Sequence, residues 1–198
     1  MSTQYYVAST ADGFIADEDD RIDWLLRLGF EEFQAHYDAF ISQVGAIVMG
    51  SRTYEFLLGE GPSAWAYGDT PTWVLTTRDL PAIEGARISI GAADVATVHA
   101  AATAAAGDRN VWVVGGGDVA AQFADAGLLD EVHLTIVPVF LGRGRRLLPI
   151  TTGARTVTLD RTTSFPSGAI ELRYALRPAQ EAEPAREAGP GQDAGPAR

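Results

Sequence analysis

Cysteine is absent from this chain of 198 residues. That absence excludes disulfides, thiolate zinc sites and cysteine nucleophiles. There is no basic-then-apolar leader and no long uninterrupted apolar run, so neither a secretory signal nor a membrane span is expected, and the expected setting is cytoplasmic. Positive charge is scarce: 15 Lys and Arg face 26 Asp and Glu, leaving a net charge of −11 and a pI near 4.6. Without a basic stripe, nucleic acid and anionic membrane are disfavoured partners, and an anionic ligand has to be bound locally. Histidine is limited to His36, His99 and His133, scattered along the chain. They read as structural, and no metal is expected.

Three familiar signatures are missing as well. No first strand leads into G-x-G-x-x-G, no lysine follows a glycine turn, and no serine stands in a G-x-S-x-G elbow. A Rossmann domain, Walker-type phosphate chemistry and a serine hydrolase are therefore disfavoured. No internal repeat is seen.

What the chain does contain is 46% apolar residues, enough to fill the core of one domain over residues 1–177. From Pro178 to Arg198 the composition turns to Pro, Ala, Gly and Glu with almost nothing to bury, which predicts a disordered tail. Strand and helix patterns alternate before it. Strands are expected at Tyr5–Ser9, Ala46–Met49, Thr72–Thr76, Arg87–Ile90 and Val111–Val114; helices are expected at Glu31–Val44, from Ser51, at Ala92–Ala106 and at Val119–Ala126. The continuous apolar runs Ala46–Met49 and Val111–Val114 predict strands covered on both faces by crossover helices, hence a mainly parallel sheet. Val132–Val139, Thr156–Thr163 and Ala169–Leu176 read as antiparallel additions at one edge. Phe33, Tyr37, Phe40, Ile41 and Val44 recur at helical spacing as a core stripe.

Three strand ends carry the chemistry. Val111–Val114 runs into Gly115-Gly116-Gly117-Asp118-Val119, where a chain without Cβ atoms meets a helix start whose N–H groups attract an anion. Met49 is followed by Gly50-Ser51-Arg52-Thr53, glycine again, then hydroxyls and a cation. The third end carries Thr76-Thr77-Arg78. Each alone is compatible with an ordinary turn or cap. Parallel strands bring their carboxyl ends to one edge, so three such turns converge on one extended ligand, and a dinucleotide has several phosphates to satisfy.

Val7-Ala8-Ser9 with Asp12-Gly13-Phe14-Ile15-Ala16, then Gly50 to Glu55, then Val114 to Gly117, resembles in order and content the dihydrofolate reductase superfamily. Gly127-Leu128-Leu129-Asp130-Glu131 and Pro138-Val139-Phe140-Leu141-Gly142-Arg143-Gly144 resemble the branch of the reductase domain of riboflavin biosynthesis. The likeness covers about Gln4 to Leu176. It implies a three-layer α/β fold, a mixed, mainly parallel sheet flanked by helices with an antiparallel C-terminal edge, and NADPH across the strand ends. By the same resemblance Ala8 and Ile15 hold the nicotinamide carboxamide through their backbones. Val114, Gly115, Gly116, Gly117, Asp118 and Val119 form the pyrophosphate turn, with a cis peptide between Gly115 and Gly116. Gly50, Ser51, Arg52 and Thr53 form a second phosphate site, and Thr76, Thr77 and Arg78 the adenosine 2′-phosphate side. Two departures stand out. Many dihydrofolate reductases carry arginine where this chain has Ser51, and the riboflavin reductase domain typically has glutamate where Gly115 stands.

The resemblance implies hydride transfer to a heterocycle of pterin or aminopyrimidine type, or to a small carbonyl or imine. For the proton, Glu32 is one candidate, beside pocket-lining Phe33 and Tyr37, and Asp12 another. Glu32 also suits the first turn of a helix, and Asp12-Gly13 also suits a plain turn. The alternative to an enzyme is a non-catalytic dimeric nucleotide-binding module. The apolar stretch His133 to Leu141, placed near the edge strands, points to a homodimer.

Overall fold

A computed structural model describes residues 1–61 and 65–176. The predicted tail, 178–198, lies outside the described residues. In chain order the elements are β1 (Thr3–Thr10), β2 (Phe14–Ala16), α1 (Asp23–Leu26), α2 (Gln34–Ile41), β3 (Val44–Gly50), α3 (Ser51–Gly59), β4 (Thr72–Leu75) and β5 (Ile88–Gly91). There follow α4 (Val95–Ala106), β6 (Asn110–Val114), α5 (Gly117–Asp125), β7 (Glu131–Val137), β8 (Arg145–Arg146), β9 (Thr158–Ser164) and β10 (Ile170–Ala175).

Eight strands form one sheet in the order β5-β4-β3-β6-β1-β7-β10-β9. All pairings from β5 through β7 are parallel, whereas β10 runs antiparallel to β7 and β9 antiparallel to β10. Short strands β2 and β8 pair separately. The fold is thus the mixed, mainly parallel α/β sheet with an antiparallel edge that the sequence predicts.

The apolar runs explain the centre. Val44 to Met49 and Val111 to Val114 are buried without interruption because helices cover both sheet faces. On one face Val98, Ala102 and Ala106 of α4 and Ala120, Phe123 and Ala124 of α5 pack on Tyr5, Ala46, Val48, Val111 and Val113. On the other, Phe40 of α2 and Tyr54 of α3 pack on Ile47, Met49, Trp112 and Val114. The small alanines of α4 let that helix lie close to the sheet. Asp94 caps it by accepting from the Thr97 N–H at 2.9 Å.

Four expectations are corrected. First, β7 is a parallel strand and not part of the antiparallel edge, because α5 returns the chain over β1 before β7 begins. Second, the stretch His133 to Leu141 is not an exposed adhesive surface: its strand part lies between β1 and β10, and of this stretch Phe140 stands out in solvent at 80% exposure. Third, α2 is shorter than Glu31–Val44. Val44 joins the sheet opposite Asn110, and Phe33 at the helix start offers no side-chain cap. Fourth, the Gly115–Gly116 peptide is trans, and the turn is made by Gly115 at φ +69°. Beyond these corrections, α1, β2 and β8 add elements too short to leave a periodic signal.

Candidate functional site

The six parallel strands bring their carboxyl ends to one rim, and two helices start there. α3 begins immediately after Gly50 and α5 immediately after Gly116, and neither start is capped by a side chain. Both therefore leave backbone N–H groups and the positive end of a helix dipole toward the rim. The two starts touch. Thr53 of α3 accepts a hydrogen bond from the Gly116 N–H at 3.2 Å, and a Cβ on Gly50 would lie 3.1 Å from Val119 Cγ2.

The three glycines of the turn have different surroundings. A Cβ on Gly115 would collide with the Thr53 side chain, and one on Gly117 would run into the backbone of Arg146 and Leu147. Gly116 is open, its nearest neighbour in that direction being Thr53 Oγ1 at 4.0 Å. The turn is thus pinned on both sides and bare in the middle, a shape that admits a phosphate against the main chain.

Charge at the rim is already paired. Arg78 donates to Glu55 Oε1 at 2.6 Å, to Glu55 Oε2 at 2.7 Å and to Ser51 Oγ at 2.6 Å, while its own N–H is fixed on Thr76 Oγ1 at 3.0 Å. Thr77 is exposed beside it. Arg52 lies 3.8 Å from both Asp20 and Asp118, with more than half of its side chain in solvent. Arg145 grips Asp20 at 2.6 and 3.0 Å, which pushes its pKa further up. Between residues 19–26 and α3 lies an open groove of about 540 Å³, lined by Asp20, Ile22, Leu26, Arg52, Glu55 and Phe56 among others.

The other end of the rim holds the proton candidates. Ala8 of β1 stands in register with Thr135, and Ile15 sits on β2 near β1, whose Thr10 hydroxyl accepts from the Phe14 N–H at 3.0 Å. Asp12 is occupied: it accepts from Thr10 Oγ1 at 2.5 Å, from the Gly142 N–H at 2.6 Å and from the Leu141 N–H at 3.1 Å. The Thr10 hydroxyl first, and then the two amides, hold its carboxyl below the usual range. Such a group is a loop anchor and a poor acid. Glu32 accepts from the Ser167 N–H at 3.1 Å through Oε2, while its Oε1 is buried without a partner among the described residues. Phe33 packs on Phe165 at 4.6 Å, and Tyr37 lies 6.4 Å from Tyr6 and 6.2 Å from Trp112.

Sequence reasoning missed Glu171 and its neighbours. This residue of β10 pairs with Thr135, which pairs with Ala8, so the three form one row across the sheet. Glu171 is 9% exposed, its Oε2 has no partner among the described residues, and its Oε1 is 3.9 Å from His36 Nδ1. Burial, and then the charge of Glu171, push the Tyr6 phenol well up. A glutamate alternating with apolar residues on a strand reads as a solvent-facing charge, and only the packing of α2 over the row reverses that. The other two histidines are satisfied structurally: His99 is 2.9 Å from Thr3 Oγ1, and His133 is 2.9 Å from Glu131. The pair with His133 is the main cause that draws the Glu131 pKa down to about 2.

A parallel sheet whose strand ends gather at a glycine turn, with an antiparallel edge, defines the chain as dihydrofolate reductase-like in fold. It belongs to the RibD C-terminal domain family, whose pattern matches residues 62–170. The uncharacterized protein YwjB of Bacillus subtilis (strain 168) is 29% identical over 182 residues, spanning 87% of this chain and 96% of that one. Among solved structures, a Shewanella sp. PV-4 protein assigned to riboflavin biosynthesis superposes with a TM-score of 0.73 at 22% identity, covering 90% of this chain and 100% of that one. Dihydrofolate reductase from Enterococcus faecalis, complexed with NADP(H), superposes with a TM-score of 0.58 at 15% identity, covering 89% and 97%.

Proposed function

We propose that the chain is an NADPH-dependent reductase acting on a heterocyclic substrate of pterin or aminopyrimidine type, or on a small carbonyl or imine. The observation that carries this reading is the meeting of two uncapped helix starts at one rim around the open face of Gly116. The backbone of Gly116 to Val119 and of Ser51 to Thr53 would hold the pyrophosphate, Arg78 would meet the adenosine end, and Ala8 and Ile15 would hold the carboxamide. Bound there, the nicotinamide supplies a hydride to C=N or C=O.

The chain's own residues do the rest. Phe33, packed on Phe165, and Tyr37, four residues on and beside Tyr6 and Trp112, would orient a flat ring. The Oε1 of Glu32, without a partner among the described residues, would accept from a substrate N–H or relay a proton, and Asp12 fixes the loop at Leu141 and Gly142. RibD C-terminal family membership and the fold of dihydrofolate reductase support a reductase. Screening pterins, pyrimidines and simple aldehydes for oxidation of NADPH tests it, and turnover of any of them establishes the class.

The engagement of Asp12 in a structural role favours one second reading, a non-catalytic module that keeps the cleft. Nucleotide binding without turnover of any screened substrate identifies that case. In either case we take the chain to act in the cytoplasm as a homodimer, with Phe140 and the edge residues Val157, Leu159 and Ile170 as exposed apolar contacts. No described helix is long and apolar enough to cross a membrane. Sedimentation showing only monomer at micromolar concentration would remove the dimer.

A further inference from the structure

We infer that Glu55 sets how strongly the cleft prefers a nucleotide carrying a 2′-phosphate, by occupying the cation that would receive it. This rests on the reading of the rim as a dinucleotide site. Ser51 and Glu55 are four residues apart on α3 and so share one face, one turn apart. Arg78 reaches across to that face and engages both. Its guanidinium makes a two-pronged pair with Glu55 at 2.6 and 2.7 Å and a third hydrogen bond to Ser51 at 2.6 Å. An arginine side chain has five N–H donors, so three are committed before any ligand arrives.

Arg78 lies beside the start of α3, bonded to Ser51, so on that reading a nucleoside joined to a pyrophosphate at the starts of α3 and α5 would come within reach of Arg78. A 2′-phosphate arriving there meets an arginine whose charge is already balanced and a carboxylate one helical turn away. It gains little from Arg78 unless Glu55 is displaced, and the two like charges repel. A ribose with a free 2′-hydroxyl has the opposite character, since a carboxylate accepts its hydrogen bond, as acidic residues do in other dinucleotide folds. Glu55 therefore lowers the preference for NADPH over NADH that Arg78 alone would create.

Removing one negative charge at about 5 Å from a dianion in a largely aqueous setting corresponds to about a tenfold change in affinity. Titration of NADPH and NADH fluorescence against the native chain, Glu55→Gln, Glu55→Ala and Glu55→Gln/Arg78→Ala measures it. Both single variants are expected to bind NADPH about tenfold more tightly while NADH affinity does not rise, and the added Arg78→Ala is expected to cancel the gain. Equal changes for both nucleotides, or unchanged NADPH affinity in both single variants, would overturn the assignment to Glu55 while leaving the dinucleotide site intact. Binding of neither nucleotide to any of the four proteins would instead remove the dinucleotide reading itself, and this inference with it.

Discussion

Replacing each glycine of the 115–117 turn by alanine assigns three different roles to three adjacent positions. At Gly115, φ of +69° puts any Cβ into the left-handed region, at a cost of about 1–2 kcal/mol. The new methyl also lies 2.8 Å from Thr53 Cγ2, and moving Thr53 aside forfeits its bond from the Gly116 N–H, worth about 1 kcal/mol. Gly115→Ala should therefore lose about 2–3 kcal/mol in stability. At Gly117 the methyl lies 2.6 Å from the Leu147 carbonyl oxygen and 3.0 Å from its carbon, atoms that no rotamer change moves away. That segment is also tied by the Tyr5 hydroxyl to Leu147 at 3.2 Å and by the Leu147 N–H to Gly13 at 3.0 Å, so overpacking should cost about 1–3 kcal/mol. At Gly116 the nearest atom is 4.0 Å away, and stability should stay within about 0.5 kcal/mol. Its methyl nevertheless fills the face proposed to receive a phosphate. Urea unfolding of the three variants, with NADPH titration of Gly116→Ala, measures both effects. Gly116→Ala should fold like the native chain and bind at least tenfold more weakly. Native affinity in that variant, or native stability in Gly117→Ala, would refute the reasoning from contact geometry.

Two further outcomes follow from the carboxylates. Glu32→Gln should lower turnover about a hundredfold with NADPH affinity unchanged, as expected when a proton-handling group is lost. Asp12→Asn should leave the pH profile of turnover in place and loosen the loop at Leu141 and Gly142, visible as faster amide exchange there. Acid stability has a defined window. The Glu131 pKa falls from 4.5 to about 2 on folding, chiefly through the His133 hydrogen bond, so its contribution is complete above pH 4.5 and is lost as pH falls toward 2. Allowing for screening of a half-buried group, that contribution is on the order of 2 kcal/mol. Asp125, held near 2 by the Thr151 and Thr152 hydroxyls, acts in the same window. Urea midpoints measured across this range should fall less steeply for Glu131→Gln, and an unchanged slope would contradict the assignment.

The layout of the sheet was legible wherever burial is two-sided. Ala46 to Met49 and Val111 to Val114 announce central strands because nothing else explains four consecutive apolar residues bounded by turns. Parallel versus antiparallel was not legible for β7, since the direction depends on where α5 leads and not on the strand's own residues. The glycine turn and the Gly50 turn could be read as phosphate-friendly because their chemistry is local. Pairing partners were not readable. That Arg78 is held by Glu55, that Asp12 anchors residues 141 and 142, and that Glu171 lies buried in the row of Ala8 and Thr135 all depend on contacts between segments distant in sequence. Charged residues on a one-dimensional string look solvated until a second element covers them.

The central claim is that separate strand ends form one nucleotide-binding rim, and amide hydrogen exchange with and without NADPH tests it most directly. Protection should appear together at residues 50–53, 76–78 and 114–119, with β9 and β10 unchanged. Protection confined to one of these segments, or none at saturating NADPH, would contradict it.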